Sequence, residues 1–210
     1  MNSQALPAAE RILDAACNLF SEKGFDAASI SEIGRSAGVS KSLFYHYFRT
    51  KEDVLKAIFT AFFEESEKIQ RLFFQSQPHS APQAPSNEAH GLFTKTMLQF
   101  LRRNEPVLRI ILRENMNRES KVDVFSFFDS SYEGWRSWFR DRGWPELPQP
   151  DGKVFVFFFT FLSSLSYVLF HQGFTQHFQF DPEEVEEKFV SFFTLATQAL
   201  SRSINSSSPT

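Results

Sequence analysis

The side chains best suited to bind a charged partner lie between Gly34 and Lys51. This stretch holds no carboxylate and four cations: Arg35, Lys41, Arg49 and Lys51. Tyr45 and Tyr47 stand among them. A tyrosine hydroxyl can donate to a phosphate oxygen while its ring packs against a sugar. The composition of the stretch therefore indicates a surface for an anionic polymer.

Two short helices joined by a tight turn are predicted to position these side chains. Ser29 is a candidate N-cap, and Glu32 follows it at the spacing of a capping box. Gly38 can take the left-handed conformation that ends a helix, and Ser40 is the next N-cap. The pattern predicts a second helix over 41–48, in the geometry of a helix-turn-helix whose second helix enters the major groove.

The second helix separates into an inward face and an outward face. Phe44 and Phe48 are four residues apart and are predicted to face inward, which leaves the tyrosines outside. An ordinary solvated surface helix is the alternative interpretation. The caps, the turn, the basic bias and the aromatic residues all agree on a binding helix instead.

Residues 9–56 resemble the DNA-binding domain of the TetR family of bacterial repressors. The resemblance lies in the run ILDAACNLFSEKGFDAASISEIGRSAGVSKSLFYHYFRTKEDVL, with KGF before the second helix, AGVSK at the turn and YHYF after it. Two positions depart from the family pattern. Gly34 stands where alanine is usual, at a cost of about 1 kcal/mol in helix propensity. Leu43 stands where a small residue is common.

The resemblance implies an all-α fold with two domains. Residues 1–50 would form a three-helix helix-turn-helix DNA-binding domain, and residues 51–210 a helical domain for ligand binding and dimerisation. The implied function is a transcriptional repressor, not an enzyme, that a small hydrophobic or aromatic ligand releases from DNA. A homodimer, formed through the last two helices, would present two recognition helices to a palindromic operator in double-stranded DNA.

The family geometry also implies roles for individual side chains. We expect Lys41, Ser42 and Leu43 to contact base edges, the leucine through an apolar contact such as a thymine methyl group. We expect Ser29, Tyr45, Tyr47 and Lys51 to bind phosphates. Ser31 and His46 belong to the same predicted interface without an assigned role.

Composition bounds the rest of the molecule. The 210 residues carry a formal net charge of -3, so any contact with nucleic acid must come from a local patch. A single cysteine, Cys17, excludes an intrachain disulfide, and its position on the apolar side of the first helix favours a buried hydrophobe over a reactive thiol. No signal peptide is evident, which predicts a cytoplasmic protein.

Hydrophobic periodicity predicts further helices after the DNA-binding stretch. A long fourth helix, capped by Thr50, should link the two domains, and a Pro- and Ser-rich loop follows it over 75–87. The remaining predicted helices span about 88–104, 108–116 and 122–142, then 154–170, and lastly 181–202 after the start signal Asp181-Pro182.

The run VFVFFFTFLSSLSYVLF, residues 154–170, is apolar almost all round. It is shorter than the roughly 20 residues of a membrane span and contains three serines, so we expect no membrane insertion. A helix that is apolar on all sides must be covered on all sides. One face can line the protein's own interior, and the other requires a partner, which fits the dimer that the resemblance implies.

The 27 phenylalanines can fill a large core or line an apolar cavity, and composition does not choose between the two. In the interpretation with an effector, we expect it to bind among the predicted helices that span about 88–104, 108–116, 122–142 and 154–170. The candidate ligand-binding residues are Phe93, Met97, Phe100, Ile111, Asn115, Phe128, Tyr132, Trp135, Phe157, Phe161 and Ser164.

No catalytic or metal-binding constellation is evident. The five histidines are scattered without metal-ligand spacing, and neither a phosphate-binding loop nor a nucleophile elbow occurs. We therefore expect no cofactor and no enzymatic activity. The alternative function is a DNA-binding architectural or cell-division factor of the same fold that needs no small-molecule effector.

Overall fold

The computed structural model describes residues 7–76, 86–117, 123–141 and 150–206, and every regular element within these ranges is helical. The predicted all-α class is confirmed. The helices are α1 (Ala8–Lys23), α2 (Ile30–Ala37), α3 (Lys41–Tyr47), α4 (Lys51–Gln75), α5 (Asn87–Arg103), α6 (Glu105–Met116), α7 (Val124–Asp141), α8 (Asp151–Val154), a π-helical stretch (Phe155–Phe161), α9 (Leu162–Phe178) and α10 (Pro182–Ser206).

Local sequence signals set most of the helix ends. The first helix, which carries Cys17, runs from Ala8 to Lys23. Thr50 caps α4, since its hydroxyl accepts from the Asp53 amide at 3.1 Å. Ser86 caps α5 by accepting from the Ala89 amide at 3.2 Å. Residues 77–85, within the predicted loop, and residues 142–149, which begin at the end of the helix predicted over 122–142, lie outside the described ranges.

Two compact units make up the chain. Unit 1 comprises Met1–Glu64 and Asn104–Phe127, and unit 2 comprises Glu65–Arg103 and Phe128–Thr210. Helix α6 therefore groups with the N-terminal helices, where it packs against α1. The sequence placed this helix in the C-terminal part. The functional division at residues 50 and 51 stays a prediction.

The core of unit 1 is built from fully buried aliphatic and aromatic side chains. Ile12, Phe20, Ile33, Phe44 and Phe59 have no exposed surface. Each comes from a position that helical periodicity turns inward. Burial of a large apolar side chain contributes about 1.5–3 kcal/mol, so this set fixes how α1, α2 and α3 pack and which face of α3 points outward.

In unit 2, α5 packs against both α9 and α10. An ion pair between Arg102 and Glu186 joins α5 to α10. The ring of Tyr167 on α9 stacks on Phe189 of α10, with centroids 4.1 Å apart. Desolvation raises the pKa of Tyr167 to about 12, so its phenol stays neutral between these helices.

The helical segment Asp151–Phe178 is the most apolar part of the described chain. By length and composition alone the segment could cross a membrane. Its most apolar 18-residue window has a mean hydropathy of 1.8, and 11% of that window is buried. Phe159 and Phe170 are 60% and 63% exposed. The segment therefore has an apolar surface that the monomer leaves open, as the sequence predicted.

The sequence did not predict the π-helical stretch Phe155–Phe161. The wider turn fits the hydrogen bond from the Ser163 hydroxyl to the carbonyl oxygen of Phe158, five residues back, at 3.2 Å. Adjacent phenylalanine rings occupy this stretch, and Phe155 stacks on Phe159 with centroids 6.0 Å apart.

Candidate nucleic-acid interface

The turn between α2 and α3 is fixed by its caps. Ser29 and Glu32 form a complete capping box at the start of α2. Gly38 ends α2 with φ 62° and ψ 38°, in the left-handed region that favours glycine. The Ser40 hydroxyl then accepts from the Leu43 amide at 3.1 Å and starts α3. The helix-turn-helix predicted from these residues is confirmed.

Helix α3 turns one aromatic residue into the core and two toward solvent. Phe44 is fully buried, whereas Tyr45 and Tyr47 are 46% and 45% exposed. The Tyr45 ring packs edge-on against Phe44, with centroids 5.7 Å apart. His46 packs edge-on against Tyr47 at 5.0 Å. The predicted outward presentation of the tyrosines is confirmed, and the Tyr45 ring rests against the buried Phe44.

The predicted base-contacting residues start the same helix. Lys41 and Ser42 are exposed and Leu43 is partly exposed. The Ser42 hydroxyl lies 2.9 Å from that of Ser40. The first turn of α3 thus presents one cation, one hydroxyl and one apolar side chain to solvent, which is a set that can read base edges in a major groove.

Ser29 was predicted to bind phosphate, but the structure gives its polar groups another partner. Its hydroxyl donates to Glu32 Oε2 at 2.7 Å and its amide donates to the same oxygen at 3.0 Å. A hydroxyl has a single proton to donate. Ser29 therefore caps α2, and its phosphate role stays a prediction, while Ser31 is exposed in the first turn of the same helix.

Lys51 was also predicted to bind phosphate, and this role stays a prediction for a side chain that has partners within the chain. Its ammonium donates to the carbonyl oxygens of Phe25, Asp26 and Ala28 at 2.8, 3.1 and 3.2 Å. An ammonium has three protons, and all three are used. Lys51 Nζ also lies 4.5 Å from the centre of the Phe25 ring. Lys51 therefore ties α4 to the loop before α2.

Two further cations belong to this surface and were counted in the sequence without being assigned to the site. Arg35 on α2 and Arg49 after α3 are exposed, as is Lys41. Within the described ranges no ion pair involves any of the three. The absence of carboxylates from residues 34–51 is the signal that could have identified the arginines.

The predicted ligand-binding residues fall into several places. Phe128, Tyr132, Phe157 and Phe161 come together in unit 2, which we call the aromatic cluster. Phe128 lies 5.0 Å from Phe157, 6.1 Å from Tyr132 and 6.5 Å from Phe161 between ring centroids. Phe128 and Tyr132 are 9% and 3% exposed. These contacts confirm that the rings meet.

The other members of the predicted set have separate surroundings. Phe93 stacks on Phe73 of α4 at 4.4 Å. Phe100 and Ser164 are buried, at 3% and 8% exposure, and Met97 is partly exposed. The side chain of Trp135 lies outside the described part of the chain.

Ile111 and Asn115 are the members of the predicted ligand set that lie on α6, and their role stays a prediction. Ile111 is 2% exposed on α6, and that helix belongs to unit 1. Asn115 is exposed, and its amide donates to the Ile111 carbonyl oxygen at 2.9 Å. Both residues therefore belong to unit 1, whereas the aromatic cluster belongs to unit 2. Their helical spacing alone could not show which unit α6 joins.

No group of three or more histidine, cysteine or acidic side chains in the described ranges could hold a metal ion. Asp123 serves instead as a helix cap, because its carboxylate accepts from the Ser126 amide at 3.1 Å. The geometry around α3 is therefore a binding surface built from hydroxyls, cations and rings.

Comparison with known proteins agrees with this geometry. The family described as "Bacterial regulatory proteins, tetR family" matches residues 12–58. The uncharacterized HTH-type transcriptional regulator YdgC of Bacillus subtilis is 26% identical over 142 residues, which cover 60% of this chain and 72% of YdgC. The HTH-type transcriptional regulator UidR of Escherichia coli is 43% identical over 58 residues, which cover 28% of this chain and 30% of UidR.

Two crystal structures share the fold. A tetR-family transcriptional regulator from Streptomyces coelicolor has a TM-score of 0.60 at 19% identity, covering 96% of this chain and 90% of that one. The transcriptional regulator FadR from Bacillus subtilis, in complex with stearoyl-CoA, has a TM-score of 0.58 at 16% identity, covering 88% and 97%. Residues 12–58 thus form a helix-turn-helix of the tetR family of bacterial regulatory proteins, and the chain shares the fold of solved transcriptional regulators of that family.

Proposed function

We propose that this regulator is a cytoplasmic repressor that binds a palindromic operator as a homodimer and leaves it when a small apolar effector binds. The observation that carries the DNA-binding part is the outward face of α3. Tyr45 and Tyr47 are about half exposed there, on a surface without carboxylates. Rings exposed to this degree on a seven-residue helix are well placed to pack on a sugar-phosphate backbone.

The proposed contacts divide into base readout and backbone positioning. Lys41, Ser42 and Leu43, at the start of α3, would meet base edges. Tyr45 and Tyr47 would hold phosphates through their hydroxyls. Ser31 and His46 lie on the same exposed surface.

Arg35 and Arg49 take the place of Ser29 and Lys51 as the phosphate-binding groups next to α3. Both guanidinium groups are exposed, whereas the donors of Ser29 and Lys51 are used within the protein. A planar guanidinium can donate two parallel hydrogen bonds to one phosphate.

Dimerisation is proposed through α9 and α10. Phe170 and Phe174 on α9 are 63% and 45% exposed, and Phe192 on α10 is 66% exposed. Exposed rings on two helices that pack together support an interaction surface there. A twofold pairing of these helices would bring two α3 helices to two half-sites of a palindrome.

The effector is proposed to bind at the aromatic cluster in the domain formed by residues 51–210. The lining rings offer an apolar and polarisable environment, and Tyr132 adds a phenol beside the Lys153 ammonium, which lies 5.7 Å from its ring centre. The FadR structure with stearoyl-CoA supports an apolar acyl chain as one effector class. Release of DNA requires that the effector bind better to a conformation with lower DNA affinity.

An effector-free architectural or cell-division factor is the second candidate. The direct ring contacts within the aromatic cluster favour this candidate. Phe128 and Phe157 pack against each other, with ring centroids 5.0 Å apart, so their surfaces are already in contact. In that case the rings are a packed core that no effector enters.

One experiment separates the two candidates. An operator is selected from random duplexes, and its binding is followed by fluorescence anisotropy while stearoyl-CoA or free stearate is added. The repressor proposal expects saturable loss of DNA binding together with a rise in Tm of the free protein. An unchanged DNA affinity across a broad panel of apolar compounds, with no rise in Tm, would favour the effector-free factor.

A further inference from the structure

A pocket of about 320 Å³ opens between α5 and α10, wholly within unit 2. Its lining includes Asn87, Gly91, Lys95, Glu187, Val190 and Thr194. No member of the aromatic cluster is among the described residues that line it, so it is a different site. Its volume lies at the lower end of the range for small-molecule sites.

Thr194 has an unusual hydroxyl group. The residue is 7% exposed, and its Oγ1 is buried without a hydrogen-bond partner. Other helical threonines donate to the carbonyl oxygen four residues back, as Thr94 does to His90 at 2.9 Å and Thr197 does to Phe193 at 3.0 Å. A buried hydroxyl without a partner is disfavoured, which makes Thr194 a group that a ligand can satisfy.

The Thr194 side chain can present its hydroxyl to the pocket by a single rotation. The hydroxyl, the methyl group and a hydrogen share one Cβ atom, and a rotation of χ1 by about 120° moves the hydroxyl to the staggered position that the methyl group held. Because Thr194 forms part of the pocket wall, rotation about χ1 would place Oγ1 where a bound polar group could reach it.

Opposite charges stand on the two helices that form the pocket. Lys95 is exposed on α5 and Glu187 is exposed on α10. Neither takes part in an ion pair with another residue of the described ranges. The pocket therefore presents one ammonium and one carboxylate to a ligand that carries the complementary pair.

The remaining walls limit the size and polarity of the ligand. A Cβ atom at Gly91 would lie 3.7 Å from Val190 Cγ1, so the missing side chain of Gly91 leaves room beside an apolar wall. At the other end, Gln198 donates to the Asn87 side-chain oxygen and ties α10 to the start of α5.

We propose that this pocket binds a small zwitterion of amino-acid size with an aliphatic side chain. The ligand carboxylate faces Lys95, its ammonium faces Glu187, and its side chain packs along Val190 beside Gly91. The Thr194 hydroxyl supplies a further hydrogen bond. The site would give the regulator a second, polar ligand in addition to the apolar effector of the aromatic cluster.

Calorimetric titration of the full-length protein with L-leucine tests the proposal. Leucinamide, which lacks the carboxylate, and 4-methylpentanoate, which lacks the ammonium, are the matched ligands. We expect saturable binding of L-leucine and at least about tenfold weaker binding of either analogue, since each loses one charged contact. The titration contains no DNA, so its failure would leave the proposed repressor function standing.

Three variants locate the site. Thr194→Val should raise the Tm of the free protein, because it removes an unsatisfied hydroxyl, and weaken L-leucine binding about fivefold. Lys95→Met should remove the preference for L-leucine over leucinamide, and Gly91→Leu should abolish binding by filling the groove. Thr197→Val, on the same helix outside the pocket, is the control and should bind as the wild type does.

Two outcomes would overturn the proposal. One is the absence of saturable heat with L-leucine at millimolar concentration in wild-type protein whose Tm shows that it is folded. The other is binding that Thr194→Val, Lys95→Met and Gly91→Leu all leave unchanged. The Thr194→Val and Lys95→Met arms keep the test decisive even if Gly91→Leu does not fold.

Discussion

The ammonium of Lys51 lies 4.5 Å from the centre of the Phe25 ring and donates to the Phe25 carbonyl oxygen at 2.8 Å. With its two other carbonyl partners, this contact holds the first turn of α4 against the loop between α1 and α2. The lysine that the sequence assigns to the DNA backbone is therefore a structural tie within the DNA-binding unit.

Replacement of this lysine should affect folding more than DNA contact. Lys51→Met removes three hydrogen bonds from a charged donor and one cation–π contact, so we expect unit 1 to lose about 1–3 kcal/mol of stability. The salt dependence of DNA binding should not change, because no phosphate contact is lost. Urea denaturation followed by a probe in unit 1 and anisotropy titrations at several salt concentrations measure the two effects.

The matched control for this experiment is Lys56→Met, an exposed lysine on the same helix. It should leave the stability of unit 1 within about 0.5 kcal/mol of the wild type. Unchanged stability in Lys51→Met, combined with a salt slope lowered by about 1 per subunit, would restore the phosphate assignment.

The capping box of α2 should give the protein a defined acid dependence. The hydrogen bond from Lys23, followed by those from the Ser29 hydroxyl and amide, lowers the pKa of Glu32 from 4.5 to about 2. A carboxylate with a lowered folded-state pKa stabilises the fold above its unfolded pKa, and this contribution is lost as pH falls through the folded value. The stability difference between wild type and Glu32→Gln should thus shrink between pH 4.5 and about pH 2.

Denaturation curves at a series of pH values follow this difference directly. Asp53→Asn, at the corresponding cap of α4, serves as the comparison, because its carboxylate accepts from the Thr50 amide at 3.0 Å. A Glu32→Gln difference that stays constant from pH 6 to pH 2 would contradict the assigned role of the Lys23 and Ser29 contacts.

The single cysteine should react slowly. Burial, together with the negative charge of Asp14, raises the pKa of the Cys17 thiol to about 11. At pH 8 this leaves roughly a hundredfold less thiolate than in an unfolded chain, and the thiolate is the reactive form. Alkylation by iodoacetamide should therefore be about a hundredfold slower in native protein than in urea and should accelerate with rising pH. Equal rates in the two states would show that Cys17 is an ordinary exposed thiol.

The exposed face of α9 should determine the oligomeric state. Phe170→Glu replaces a ring that is 63% exposed in the monomer with a charged side chain. We therefore expect the dimer to dissociate and operator affinity to fall by at least about a hundredfold. Light scattering during gel filtration measures the mass. Leu72→Glu, at a 58% exposed position on α4, is the control and should remain dimeric. A monomeric wild-type protein with full operator affinity would contradict the proposed interface.

The sequence predicted those parts of the site that depend on neighbouring residues. The capping box at Ser29, the left-handed Gly38 and the Ser40 cap involve hydrogen bonds between residues at most four positions apart. The local sequence therefore contains all the residues that form them. The outward direction of Tyr45 followed from the inward direction of Phe44. Helical periodicity contains this information directly.

Features that depend on distant parts of the chain were missed for a physical reason. The partners of Lys51 lie 23 to 26 residues away, and a lysine at a helix start looks the same in sequence whether it meets a carbonyl or a phosphate. The grouping of α6, and with it Ile111, with α1 depends on tertiary packing. The π-helical stretch Phe155–Phe161 likewise leaves no periodic signal in a run that is apolar on every side.

Binding of wild type, Tyr47→Phe and Lys41→Ala to a selected operator and to a scrambled duplex tests the outward face of α3 most directly. The measurement is fluorescence anisotropy at fixed salt. We expect Tyr47→Phe to weaken binding to both duplexes alike, by about threefold to tenfold for a lost phosphate hydrogen bond. Lys41→Ala should reduce the preference for the operator by about tenfold or more, through loss of a base contact. Wild-type affinity and preference in both variants would show that α3 does not face the duplex.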